Sequence, residues 1–183
     1  MSKYPNWFAS AAEPFFENIC PDLTEDQHVL QIGAFTGDAT RWLLDNTKAQ
    51  ITDVDTWEGS DEEVHNAMDF SDVEAVYDSK VGFDSRVTKM KMTSNKFFLT
   101  NTQQFDFIYV DGDHTASQVV IDGVNAFRFL KVGGTIAFDD FTWVSGKGPF
   151  HDPRWGVEAF CHVAQGQLDE LLVSHQAWFR KKT

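Results

Sequence analysis

The feature that most constrains this chain is a repeated unit: a short β-prone run that stops on glycine or an acid, followed by a stretch with helical spacing. His28–Gly33 (HVLQIG), Gln50–Asp55 (QITDVD), Phe105–Asp111 (FDFIYVD) and Thr135–Asp140 (TIAFDD) are such runs, and the alternating Arg86–Met92 (RVTKMKM) reads as a more exposed strand. Helical spacing fills the intervals. Asp38–Leu44 carries it, as do Val64, Ala67 and Met68, then Val73, Val76 and Tyr77 within Asp61–Val81. Gln118–Leu130 places Val120, Val124 and Phe127 on one face before Lys131-Val132-Gly133-Gly134, which reads as a helix stop. Pro153–Ala164 adds a helix with Val157, Phe160, Cys161 and Ala164 along its buried face, and Asp169–His175 and Ala177–Lys182 read as closing strands.

Alternation of this kind specifies an α/β fold, a doubly wound parallel sheet with helices on both faces. No internal repeat and no Pro/Gly/Ser linker divides the chain, so 1–183 is expected to be a single domain, with a helical segment at 1–27 and the core at 28–183. A net charge of −13 with no Lys/Arg stripe argues against nucleic acid as a partner. Arg180-Lys181-Lys182 reads as a solvated end. No apolar run approaches the roughly 20 residues of a membrane span, and the first residues lack the pattern of a signal peptide. Cys20 and Cys161 match no metal or redox spacing and read as reduced, buried thiols. A cytoplasmic protein is expected.

In open α/β sheets the ligand lies outside the carboxyl ends of the strands, which singles out Gly33, Asp55, Thr93, Asp111 and Asp139. Gly33 and Gly37 let the first loop turn sharply and approach a ligand, but they do not match G-x-G-x-x-G, and an ordinary strand-to-helix turn would look the same. Asp55 stands where Rossmann-like folds place the acid that grips a ribose diol. Trp57 either stacks on a purine or serves as core or lid. Asp111, Asp113, Asp139 and Asp140 fall on neighbouring strand ends. Carboxylates so close repel unless a cation or protons intervene, and oxygen ligands suit Mg²⁺, Mn²⁺ or Ca²⁺. The alternative is that Asp111 and His114 orient their loop while Asp139-Asp140 cap the next segment.

Four blocks carry a family resemblance: VLQIGAFTGDAT (Val29–Thr40), ITDVDTWEGSDEE (Ile51–Glu63), FDFIYVDGDHTASQVVIDGV (Phe105–Val124) and LKVGGTIAFDDF (Leu130–Phe141). Together they resemble class I S-adenosylmethionine-dependent methyltransferases, in the branch that includes macrocin-type sugar O-methyltransferases. The resemblance runs from about Val29 to Phe160. It implies a Rossmann-like sheet of seven strands, mostly parallel with an antiparallel C-terminal strand. It also implies O-methylation of a small-molecule or sugar hydroxyl.

By the same resemblance the cofactor S-adenosyl-L-methionine would be contacted by Gln31, Gly33, Ala34, Gly37, Asp55, Thr56, Trp57, Thr93, Ser94 and Asp111. A hard divalent cation such as Mg²⁺ would be held by Asp111, Asp139 and Asp140, with Asp113 and His114 as the catalytic pair. Two positions depart from the family: Gln31 and Thr93 stand where it usually has acids, so contacts to the amino group and to adenine would differ. Two other readings remain open, a cofactor-binding module without turnover and a nucleotide-dependent oxidoreductase. His28, His65, His151, His162 and His175 show no ligand spacing. Trp7, Phe8, Phe15 and Phe16 could cover a neighbouring subunit in a homo-oligomer.

Overall fold

A computed structural model describes residues 3–19, 23–60 and 64–182, and of Phe16 and Ile19 the backbone alone. Seven strands form one sheet: β1 (His28–Ile32), β2 (Gln50–Asp55), β3 (Val87–Lys91), β4 (Phe105–Val110), β5 (Leu130–Phe138), β6 (Leu168–Val173) and β7 (Ala177–Lys181). Their order is β3-β2-β1-β4-β5-β7-β6, with β1 to β5 parallel and β7 antiparallel to both neighbours. The expected seven-stranded, mostly parallel sheet with an antiparallel C-terminal strand is thus observed. Six α-helices lie among the described residues: α1 (Ala12–Ile19), α2 (Asp38–Asn46), α3 (Phe70–Val81), α4 (Ser94–Thr100), α5 (Ala116–Phe129) and α6 (Pro153–Val163).

Winding reverses between β1 and β4, which opens a crevice at their carboxyl ends. Pairing of Ile32 with Val110 sets Gly33 beside Asp111, and pairing of Val110 with Phe138 sets Asp111 beside Asp139. Alternation along β4 feeds two cores: Phe107 and Tyr109 join Phe15, Leu43 and Trp178 on one face, while Ile108 and Val110 join Leu30, Phe138 and Phe160 on the other. Phe15 meets Phe107, Tyr109 and Trp178 edge-on, with centroids 5.4, 4.7 and 5.2 Å away. Burying one such ring contributes about 1.5–3 kcal/mol. Phe8 and Phe15 are therefore committed to this chain's own core, whereas Trp7 is half exposed.

Three local readings need correction. The fully buried stripe of α5 is Val119, Asp122, Gly123 and Ala126, where an acid and a glycine interrupt the apolar pattern, and the expected Val124 and Phe127 pack against the same core only partly buried. Lys131–Gly134 follows the end of α5 at Phe129 as expected, but it belongs to the start of β5 and is not a turn, with Gly133 at φ +81° where the register against Phe105 and Phe107 shifts. Lys181 is not a solvated end: its Nζ donates to the carbonyls of Phe127 and Leu130 at 2.8 and 2.9 Å and closes α5. Cys161 is a half-buried free thiol whose pKa burial pushes up to about 11; Cys20 lies outside the described residues, as do Asp61–Glu63. No helix among the described residues is long and apolar enough to cross a membrane.

Candidate active site

The first strand-to-helix loop is folded by its neighbours. Gly33 has φ +84°, and a Cβ there would stand 1.8 Å from the carbonyl oxygen of Asp111, so the end of β4 itself demands glycine. Gly37 has φ +77°, and its Cβ would meet Val81 Cγ2 at 2.8 Å and Tyr77 Cδ2 at 2.9 Å. A side chain there would point into α3 and not into the cleft. The Asp55 carboxylate accepts three backbone N–H bonds, from Ala34 (2.8 Å), Phe35 (2.9 Å) and Trp57 (2.7 Å). The acid that ends β2 thereby clamps the glycine loop and its own turn.

Trp57 is turned inward at φ +49° and is 3% exposed; its indole N–H donates to the Phe35 carbonyl at 2.9 Å and its ring packs on Tyr77. It is a core residue that cannot stack on a ligand purine. Gln31, 2% exposed, donates to the Gly33 carbonyl at 2.9 Å and lies 3.2 Å from the Thr40 hydroxyl, propping the loop from beneath. Asp53, its partner across β1 and β2, accepts from Thr40 (2.8 Å) and Tyr77 (2.6 Å), and burial pushes its pKa up to about 6. Of the expected cofactor contacts, then, Gln31, Ala34, Gly37 and Trp57 support the loop, whereas Gly33, Asp55, Thr56, Thr93, Ser94 and Asp111 line the cleft beside it.

That cleft has a volume of about 660 Å³ and runs along the carboxyl edge of the sheet, with Asp113, His114, Asp139 and Asp140 also on its wall. Two groups of potential metal donors share Asp140: Asp111, His114 and Asp140, and Asp139, Asp140 and His175, each with one donor atom per residue within 4.8 Å of the others. His114 Nε2 lies 3.6 Å from Asp111 and 3.4 Å from Asp140; His175 Nε2 lies 3.7 Å from Asp139 and 3.5 Å from Asp140. The expected trio of acids is thus divided, and two imidazoles join it. His175 arrives on the turn between β6 and β7, which no spacing in the sequence could relate to Asp139-Asp140.

Asp139 is partly committed to the fold, since it accepts from the Tyr109 hydroxyl, the Gln176 amide (3.1 Å) and the Asp140 N–H (2.9 Å). Asp111 has its carboxyl pushed well above the usual range by burial first and by the charge of Asp139 next, with His114 opposing. Asp140 takes φ +53°, one of three left-handed non-glycine residues among the described residues, all following strand ends at this edge. Asp113 is exposed on the rim, accepts the Thr115 N–H at 2.7 Å where α5 begins, and belongs to neither donor group.

At the β3 side Thr93 caps α4, its side-chain oxygen accepting from the Lys96 N–H at 3.2 Å. Beyond it lies Asp122, a cleft acid the sequence reading missed; it is 1% exposed, with its pKa pushed up to about 6 by burial. At the opposite end Trp7 stacks on Phe35 at 4.6 Å, with His65 and Phe70 alongside. The described lining holds Asp55, Glu58, Asp111, Asp113, Asp122, Asp139 and Asp140 and no Lys or Arg.

Solved structures of similar fold are methyltransferases at low identity. The N-methyltransferase NodS of Bradyrhizobium japonicum has a TM-score of 0.65 at 17% identity, over 97% of this chain and 98% of that one. The O-methyltransferase TomG of Streptomyces achromogenes, solved with SAM, has a TM-score of 0.62 at 15% identity, over 100% and 92%. The MycE methyltransferase of the mycinamycin pathway, solved with Mg, SAH and mycinamycin VI, has a TM-score of 0.64 at 18% identity; this chain is covered to 99% but spans only 51% of that one. No protein of curated function matches by sequence. A family model described as a methyltransferase domain matches residues 30–141, more than half of the chain, and the chain therefore belongs to that methyltransferase-domain family.

Proposed function

We propose that the protein transfers the methyl group of S-adenosylmethionine to a hydroxyl of a small neutral or cationic acceptor, with a hard divalent cation at the acid cluster. The observation that carries this reading is one continuous cleft joining the clamped glycine loop to the carboxylates of β4 and β5. TomG was solved with SAM, and MycE with Mg and SAH, which supports the cofactor and the ion. Seven acids without a described Lys or Arg disfavour a phosphorylated acceptor. The free thiol of Cys161 is in keeping with a cytoplasmic setting.

In this reading Gly33 borders the methionine half, and Asp55, three of whose roughly four acceptor positions are taken, turns the last one with Thr56 toward the ribose. Asp111, Asp140 and His114, with Asp139 or His175, fit a cation, because a desolvated acid beside further acids gains from positive charge. A bound cation would supply acidification of the acceptor hydroxyl. The acceptor oxygen attacks the sulfonium methyl, the carbon–sulfur bond breaks, and S-adenosylhomocysteine leaves. Asp113, the rim acid outside both donor groups, meets the acceptor and takes the proton, while His114, flanked by Asp111 and Asp140, stays with the cation's donors.

Calorimetry with S-adenosylhomocysteine and with NAD, followed by methyl-donor turnover on hydroxyl acceptors with Mn²⁺ or EDTA, tests the proposal. Binding of the first ligand alone and turnover silenced by EDTA are expected. Binding of NAD instead would make the protein a nucleotide-dependent oxidoreductase, and cofactor binding with no turnover on any acceptor would make it a binding module.

A further inference from the structure

Four polar side chains converge at the β3 end of the cleft. Ser94 and Asn95 open α4, while Gln118 and Asp122 lie one turn apart on α5. Gln118 Nε2 stands 2.9 Å from Asp122 Oδ1 and 3.3 Å from both Ser94 Oγ and Asn95 Oδ1, and Asn95 donates back to Gln118 Oε1 at 3.3 Å. Ile32, Val54 and Met92 give the same cleft apolar wall at the carboxyl ends of β1, β2 and β3.

Asp122 is the anomaly in this patch. It is 1% exposed, its hydrogen bonds come from the neutral groups Ser94 and Gln118, and the charge acting on it is that of Asp113, a like charge. Burial is the main cause that pushes its pKa up to about 6, so a carboxylate here costs the fold stability. An amide or an apolar side chain would cost less. A desolvated carboxylate on the wall of a ligand cleft gains from a donor that arrives with the ligand. Gln118 and Ser94 occupy two of its roughly four acceptor positions. Thr93, at the end of β3, spends its own side-chain oxygen on the Lys96 N–H.

We propose that Asp122, aligned by Ser94 and Gln118, accepts a hydrogen bond from the exocyclic amine of the cofactor's adenine, with the ring lying against Ile32, Val54 and Met92. Asp122 is then a specificity residue for the base, supplied by α5 and not by the β3 strand end. The inference rests on the S-adenosylmethionine reading above.

Its test compares S-adenosylhomocysteine with S-inosylhomocysteine, in which a carbonyl replaces the amine, by calorimetry on the whole protein between pH 5 and 7.5. At pH 7.5 the wild type should prefer the adenine compound by about 10-fold or more, the size of one charge-assisted hydrogen bond. The preference should shrink as pH falls through about 6, where Asp122 protonates and becomes a donor better suited to the carbonyl. Taking the ratio of the two affinities cancels groups that act equally on both ligands.

Asp122→Asn should bring the ratio to within about 3-fold and remove its pH dependence, since the amide offers both a donor and an acceptor. A preference that survives in Asp122→Asn, or one that does not vary with pH in the wild type, overturns the inference. Should the variant not fold, the wild-type pH series decides alone. Equal binding of the two compounds refutes the role of Asp122 and leaves the cofactor reading standing, whereas binding of neither refutes both.

Discussion

Asp55 and Asp140 close strands on opposite sides of one cleft, yet their surroundings are opposite. Asp55 is met by three backbone N–H groups, and most of its acceptor capacity goes to holding the glycine loop. Asp140 is held in a left-handed turn beside Asp139, facing Asp111 across His114 and approached by His175. One side of the cleft is completed by its own backbone, and the other gathers charge that a cation would balance. A strand-end position makes an acid a candidate, but the donors the fold aims at it decide whether it is scaffold or ligand. Substitution at the two sites should therefore move metal-free stability in opposite directions.

The largest effect is expected on the clamped side. Asp55→Ala strands the N–H groups of Ala34, Phe35 and Trp57 and releases the loop. Urea denaturation in EDTA should show a loss of about 2–4 kcal/mol, since each charge-assisted bond is worth roughly 1.5–3 kcal/mol and water recovers part of it. A loss under about 1 kcal/mol would mean that the clamp is not structural and would erase the contrast.

Gly37→Ala probes the same side more gently. Its Cβ has Val81 and Tyr77 within 2.9 Å at a left-handed φ, so a cost of about 1–3 kcal/mol follows from strain and overpacking. Because that Cβ points into α3, the folded variant should bind S-adenosylhomocysteine within about 3-fold of the wild type, well under the 1.4 kcal/mol of a tenfold change. A stable variant that no longer binds would return Gly37 to the cleft wall.

The same contrast marks what a sequence can disclose. The sheet was legible because each strand is a β-prone run with its own terminator, and strand order carries Gly33, Asp55, Asp111 and Asp139 to one edge. Helix α4 was not delimited: it spans seven residues and buries only Phe97 and Phe98, too few for a periodic stripe. Asp122 was hidden because it occupies the buried stripe of α5, where an acid breaks the apolar pattern that would have located it. Trp57 pointed the wrong way for a ligand because its φ, which no residue spacing encodes, turns it onto Tyr77. His175 depends on where a distant hairpin lands. Residues tied to one strand end were visible, and those placed by the meeting of two elements were not.

The smallest expected effect is the most telling. Asp140→Asn keeps the side chain's shape and suits the left-handed φ of +53°, which asparagine tolerates well, so backbone strain should not change. What changes is charge: one negative group is removed from beside Asp111 and Asp139, the former already driven toward its protonated form by burial and by Asp139. In EDTA the variant should therefore be more stable than the wild type, by about 0.5–1 kcal/mol for relief of partly screened repulsion. Adding Mn²⁺ should reverse the ranking, because the wild type gains stability from an ion that binds only the folded state and the variant has lost the charge of a donor common to both groups. Thermal melts in EDTA and then in millimolar Mn²⁺ measure both signs on the same two proteins. If Asp140→Asn is destabilised without metal, Asp140 is a scaffold acid like Asp55. If Mn²⁺ leaves both proteins unmoved, the carboxylates of β4 and β5 are held apart by their hydrogen bonds alone, and the cleft has no electrostatic need of a cation.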